Sequence, residues 1–260
     1  MISTTTTAAL VAALVLALVH VVTPAMRFLG GTPRSVWLSI AGGVSVAYVF
    51  VHLLPELAAR QADVSRAVAT ARFAERHVYL IALLGLVVFY GLDKLAKRSR
   101  GQTAAGERGG EPPESGRSTA LPADATRPGV FWTHMVAFGA YNVLVGYLLL
   151  HREAHGVQSL AFFAIAMALH FLVTDFGLTE DHKHRYRHVG RWVLAVSVVS
   201  GFALGVATSI PAAAIGVLVA FLAGGVILNV LKEEVPAERQ SRFWALAVGV
   251  TLYTVLLLSF

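Results

Sequence analysis

Apolar runs broken by short polar and basic stretches recur along the whole chain. Eight can be marked, at residues 8–29, 35–58, 77–96, 131–150, 157–178, 190–210, 213–231 and 242–260. Each is close to the ~20 residues that an α-helix needs to cross a hydrocarbon core of about 30 Å. The pattern therefore predicts an all-α polytopic membrane protein of eight transmembrane helices. The first run has no Lys or Arg before it (MISTTTT) and is followed by Arg27 and Arg34. That reads as a retained helix with its N-terminus outside, not as a cleaved secretory leader.

Composition agrees with this reading and narrows the partners. With 56% hydrophobic and 14% charged residues, the chain has too little polar surface to cover a soluble globule. A net charge of +6 would suggest nucleic acid in a soluble protein. Here the basic residues sit in the loops, so no nucleic-acid partner is expected. The loops after runs one, three, five and seven carry 16 of the 21 Lys and Arg, and the other loops carry 5. By the positive-inside rule the first set faces the cytoplasm, which puts both termini outside in a multi-pass protein of the inner (plasma) membrane. Residues 97–130 are rich in Gly, Pro, Ser and charge. They predict a disordered cytoplasmic linker between a first membrane part, residues 1–96, and a second, residues 131–260. There is no cysteine, so any metal must be held by nitrogen and oxygen ligands.

Runs two and seven echo one another. AGGVSVAYVFVHLLPEL (residues 41–57) and AGGVILNVLKEEVPAE (residues 223–238) both open on Ala-Gly-Gly and reach a proline about four turns later. The predicted topology sends one outward and the other inward, so the two are expected to belong to an inverted repeat relating helices 1–3 to helices 6–8. Ala-Gly-Gly is also the small-residue pattern by which any two membrane helices pack closely. Counted back from the prolines, His52 and Glu233 are equivalent. With Glu56 they are the polar candidates at the membrane surfaces.

Run five carries His170 near its middle and Asp175 nearer its end. An ionisable side chain inside a span is a functional candidate by default. For His170 two readings stand: a ligand or proton-carrying group, or a neutral imidazole hydrogen-bonded to a neighbouring helix. Asp175 is expected to snorkel toward the head groups. Thr174 lies beneath His170 on one face, whereas Asp175 is offset by about 140°. Run four presents Tyr141 and Asn142 near its middle, within about 7 Å in depth of His170. The short connection at residues 151–156 makes runs four and five antiparallel neighbours, so Asn142 and His170 are expected to face one another. Beyond the span, Glu180, Asp181, His182, His184 and His188 interleave with Lys183, Arg185 and Arg187. This patch reads as a positive-inside anchor, with a metal site at His182, His184 and His188 as the alternative. His20, His77, His134, His151 and His155 are assigned no role.

Architecture and residues together resemble the ZIP family of divalent-metal transporters, which have eight spans, outside termini and a long cytoplasmic loop between helices three and four. VHLLPEL (residues 51–57) is similar to the family's helix-two ending, VVFYGLDKLAKR (residues 87–98) to its helix-three ending, and the AGG segment at residue 223 to its helix-seven pattern. The family's transport site lies on helices four and five, supported by helix six. Its His-Asn-x-x-Asp-Gly motif aligns with residues 141–146, where Asn142 and Gly146 remain and Tyr141 and Val145 replace the His and the Asp. Its His-Glu-x-Pro-Glu motif aligns with residues 170–174, where only His170 remains. On helix six Ser200 and Gly201 match, but Leu204 and Gly205 stand where Glu and Pro would. The resemblance thus implies a metal site reduced to Asn142 and His170, with Tyr141, Thr174 and Asp175 beside it.

Two neutral ligands hold zinc weakly, because an ion in a low-dielectric site needs several anionic or imidazole ligands to replace its hydration. The resemblance implies a ZIP-like inner-membrane carrier of a divalent cation such as zinc with an altered site. The alternative is a non-transporting relative with a binding or regulatory role. The expected partners are the bilayer, the metal cation and, in a homodimer, a second copy of the chain. An enzyme is not expected, since neither His170 with Thr174 nor Asp175 alone forms a nucleophilic or paired-carboxylate set.

Overall fold

The computed structural model describes residues 4–30, 35–67, 77–108, 128–152, 156–234 and 242–259, and these are helical with no strand among them. The helices are α1 (Thr4–Val22), α2 (Val36–Tyr48), α3 (Leu54–Ala67), α4 (His77–Arg108), α5 (Pro128–His151), α6 (Val157–Arg185), α7 (Arg191–Ala207), α8 (Ala212–Glu234) and α9 (Phe243–Leu258). Six helical stretches are long and apolar enough to cross a membrane: Thr4–Ala25, Val36–Ser65, His77–Leu95, Pro128–His151, Val157–Ala207 and Ala212–Lys232. Phe243–Leu258 is apolar but shorter. Their outer faces keep large apolar side chains exposed, among them Leu14, Leu18, Leu83, Leu84, Val196 and Leu252. Water would not tolerate so much contiguous apolar surface, and lipid does.

Two stretches are not simple helices. α2 and α3 form one rod with a π-helical turn at Val49–Leu53. Pro55 follows at once, and a proline inside a helix lacks its amide donor and clashes with the carbonyl one turn back, so the turn before it widens. The second is Val157–Ala207, 51 residues that would reach far beyond one bilayer if straight. It breaks at Lys183, whose φ is 39°, and passes through a second π-helical turn at Tyr186–Gly190. Side-chain contacts give the directions. Along α5 from Gly139 to Gly146, the partners on α7 advance from Ser197 toward Phe202, so those helices run parallel. His134 meets His182, and Tyr141 meets Met167, so α6 runs against α5. The chain therefore reverses direction between α6 and α7.

Three parallel pairs form the packing, each closed by glycine. On α2 and α9, an added Cβ at Gly43 would lie 2.2 Å from the Leu246 carbonyl oxygen, and one at Gly249 2.2 Å from that of Ile40. On α4 and α8, an added Cβ at Gly85 would lie 2.0 Å from the Phe221 carbonyl oxygen, and one at Gly224 1.9 Å from that of Ala82. On α5 and α7, an added Cβ at Gly146 would lie 2.1 Å from the Val198 carbonyl oxygen, and one at Gly201 1.9 Å from that of Val143. Such approaches let dispersion act between backbones where no hydrophobic force joins helices in lipid. The neighbour expected for run four was run five, by virtue of the short connection. The structure instead lays α5 chiefly along α7, through glycines that only a three-dimensional pairing reveals, and α5 touches α6 at a few side chains.

The helix that begins at His77 continues past Ala96 to Arg108, through the first part of the expected linker, where Ala, Lys and Arg suit a helix. Residues 109–127 lie outside the described ones.

Candidate functional site

The most completely bonded polar group inside the bundle joins α1, α5 and α6. His20, on α1, is 1% exposed, and Asp175, on α6, is 0% exposed. The His20 Nδ1 lies 2.9 and 2.8 Å from the two carboxylate oxygens of Asp175, and its Nε2 lies 2.7 Å from Asn142 Oδ1. Asn142 Nδ2 donates to the Phe138 carbonyl at 2.8 Å, which fixes the amide so that its oxygen faces His20. Nε2 must therefore carry a hydrogen and donate it. Tyr186 donates its hydroxyl to Asp175 Oδ1 at 2.5 Å, from the turn where the chain reverses. His20 and Tyr186 thus meet the Asp175 carboxyl from two sides, and the set ends on a donor, the Tyr186 hydroxyl, at one side and on an acceptor, Asn142 Oδ1, at the other.

This arrangement departs from the sequence expectations in two respects. Asp175 does not snorkel to the surface, because the His20 imidazole and the Tyr186 phenol hold it inside. Asn142 faces His20, a residue assigned no role. One signal was available: a carboxylate within a span needs a donor, and His20 is a lone polar group within an apolar helix.

His170 occupies a second place. It is 4% exposed, with its ring 5.8 Å from that of Tyr141 and 6.2 Å from that of Phe171, and its ring meets no hydrogen-bond partner among the described residues. Thr174, below it, donates to the His170 carbonyl at 2.9 Å and accepts from Asn229 Nδ2 on α8 at 2.9 Å. Tyr141 turns its hydroxyl toward Met167 Sδ at 3.8 Å. His170, Tyr141, Thr174 and Asn229 line the inner part of a cavity between α4, α5, α6 and α8, with about 50 Å³ open to the centres of water molecules. That is room for a few waters or one ion with part of its shell. The mouth carries Asp93, His134, Asp181 and Lys232. Lys232 Nζ pairs with Asp93 Oδ1 at 2.5 Å, and His134 Nδ1 lies 2.9 Å from His182 Nε2.

A second cavity enters from the other end of α5, α6 and α8, with about 300 Å³ open to water centres. Tyr48, His52 and Glu56 line it from the α2–α3 rod, Leu148 and Arg152 from the end of α5, Phe163 from α6 and Val219 from α8. Glu56 is held by Arg60, with contacts of 2.7 and 3.1 Å, and His52 stacks on Tyr48 with ring centroids 5.4 Å apart. Along α6, Phe163 lines one cavity and His170 the other, a rise of roughly 10 Å, and along α8 Val219 and Gly225 do so over a rise of roughly 9 Å.

The histidines after the span separate. His182 turns inward to His134, while His184 and His188 are exposed and stacked, with centroids 3.8 Å apart. His188 Nδ1 is 2.9 Å from the His184 carbonyl oxygen, so its Nδ1–H donates there. His182, His184 and His188 therefore do not form one site. The helix break at Lys183 divides them, which helical spacing could not foresee. The Glu233 side chain lies outside the described residues. Among the described residues no group of three His, Asp or Glu is placed to hold a metal ion. Compared with family models, curated proteins and solved structures, the chain matches none.

Proposed function

We propose that the protein is a ZIP-like carrier with eight membrane crossings, which moves a cation, a divalent metal such as zinc, between two cavities that open alternately. The observation that carries this reading is the pair of cavities entering from opposite ends of α5, α6 and α8 and separated by about two turns of α6. A carrier needs a central place reachable from either side and closed between them, and it needs weak binding so that the ion can leave. His170, Tyr141, Thr174 and Asn229 are that place here, a neutral set with one imidazole. The inverted repeat supports the same reading. Gly43 and Gly224 stand at equal distances before Pro55 and Pro236, and each seals a parallel pair, α2 with α9 and α8 with α4. In the same register Tyr48 corresponds to Asn229, and each lines the cavity at its own end.

The second reading, a non-transporting relative with a binding or regulatory role, is favoured by one observation. The carboxylate of Asp175 is consumed by His20 and Tyr186, which leaves no anionic ligand beside His170 among the described residues.

The basic loops place the His170 cavity toward the cytoplasm and the His52 cavity outside. The natural absence of cysteine makes the test direct. In intact cells, an impermeant thiol reagent should label Ala59→Cys and spare Asn229→Cys. After permeabilisation both should react. Labelling of Asn229→Cys alone in intact cells would reverse the topology, and labelling of both there would remove the separation of the cavities.

A further inference from the structure

We infer that His134 and His182 form an exchangeable metal site at the mouth of the His170 cavity, taking a borderline divalent ion of the zinc or cobalt class. The two residues come from the first turns of α5 and the last turn of α6, and both are buried, at 3% and 5% exposure. Their ring nitrogens converge, His134 Nδ1 on His182 Nε2, at 2.9 Å. A tetrahedral ion with nitrogen ligands at about 2.0–2.1 Å holds two of them roughly 3.3 Å apart. A shift of a few tenths of an ångström therefore turns the hydrogen-bonded pair into a chelating pair.

The surroundings are those of a ligand, independently of that distance. His134 Nε2 donates to the Leu92 carbonyl at 2.9 Å, which fixes the tautomer and leaves the Nδ1 lone pair facing His182. A metal-bound imidazole characteristically gives its other N–H to a backbone carbonyl or carboxylate in this way. Phe131 stands edge-on to His182, with ring centroids 5.3 Å apart, and shields it on one side. Asp93, paired with Lys232, and Asp181 line the same cavity, so the mouth holds two carboxyl groups and one ammonium. On binding, the His182 proton moves from Nε2 to Nδ1, each ring stays neutral, and each gives one lone pair to the ion. Among the described residues no third His, Asp or Glu joins them. Water fills the remaining positions, which makes the site weak and fast to exchange, as a station on a path should be.

This site takes its role from the carrier reading but not its existence, so the two can fail separately. Purified full-length protein is titrated with Co²⁺ and followed by its visible d–d absorption, with Zn²⁺ as competitor. The expected result is one Co²⁺ bound per chain and displaced by Zn²⁺. The signal should be lost in His134→Ala and in His182→Gln, each eluting as monodisperse protein, and kept in the His184→Ala/His188→Ala double variant. Binding that survives both His134→Ala and His182→Gln, that disappears with the exposed pair, or that is absent from the wild type would overturn the site. Loss of metal flux with Co²⁺ binding intact would overturn the carrier and leave the site standing.

Discussion

His20→Ala should lower the stability of the detergent-solubilised protein by roughly 3–5 kcal/mol, the cost typical of removing one partner from a buried ion pair. The variant leaves Asp175, 0% exposed, without its imidazole and with Tyr186 as its remaining side-chain donor. It also strands Asn142 Oδ1, whose amide is held in place by the Phe138 carbonyl. Asp175→Ala should cost a similar amount, since it leaves the buried His20 Nδ1 without its partner. The double variant His20→Leu/Asp175→Leu removes both charges together and should recover much of the loss, because a buried pair replaced by apolar groups of similar volume is often neutral or better. Unfolding curves of wild type, the two single variants and the double variant show whether that recovery occurs. Single variants costing no more than the ~0.6 kcal/mol of an average membrane hydrogen bond would mean that the pair does not tie α1 to α5 and α6.

The glycine seams should be as sensitive. Gly201→Ala puts a Cβ 1.9 Å from the Val143 carbonyl oxygen, and Gly224→Ala puts one 1.9 Å from that of Ala82. Backbone cannot give way as a side-chain tip can, so each parallel pair must separate. A loss of about 1–3 kcal/mol or more is expected for alanine, with leucine abolishing folded protein. Gly91 is the internal control, because it is an exposed helical glycine with nothing within 4 Å of an added Cβ. Gly91→Ala should leave stability unchanged or raise it by about 0.5–1 kcal/mol. Thermal melting followed by size-exclusion recovery separates these cases. A Gly201→Ala protein as stable as Gly91→Ala would refute the close α5–α7 packing.

Which parts of this were legible in the sequence follows from what a linear pattern encodes. The all-helical class and the apolar stretches follow from run length and hydropathy, and the structure has them. The π-helical turn before Pro55 was implicit in the proline. The reversal between α6 and α7 was legible as the basic break between runs five and six, but the helix break at Lys183 was not, since no glycine or proline stands there. In the polar core, rise per residue gives depth but not direction. It grouped Asn142 with His170, whereas rotation about the helix axes gives Asn142 to His20 and sends His170 into the cavity with Thr174 and Asn229. Partners from distant parts of the chain, His20 with Asp175 and Asp93 with Lys232, depend on which helices pack together. A single sequence carries no record of that choice.

Flux through the purified protein bears most directly on the carrier reading. Liposomes holding a fluorescent chelator are reconstituted with wild type, with His170→Ala or with no protein, and Zn²⁺ or Mn²⁺ is added outside. Wild type should admit ions faster than empty liposomes and saturate with concentration. His170→Ala should fall to the empty-liposome rate while its stability stays within about 1 kcal/mol of wild type, since no hydrogen bond to its ring is lost. A wild-type rate equal to that of empty liposomes for both ions, in protein that melts cooperatively, would contradict the carrier and leave the non-transporting reading.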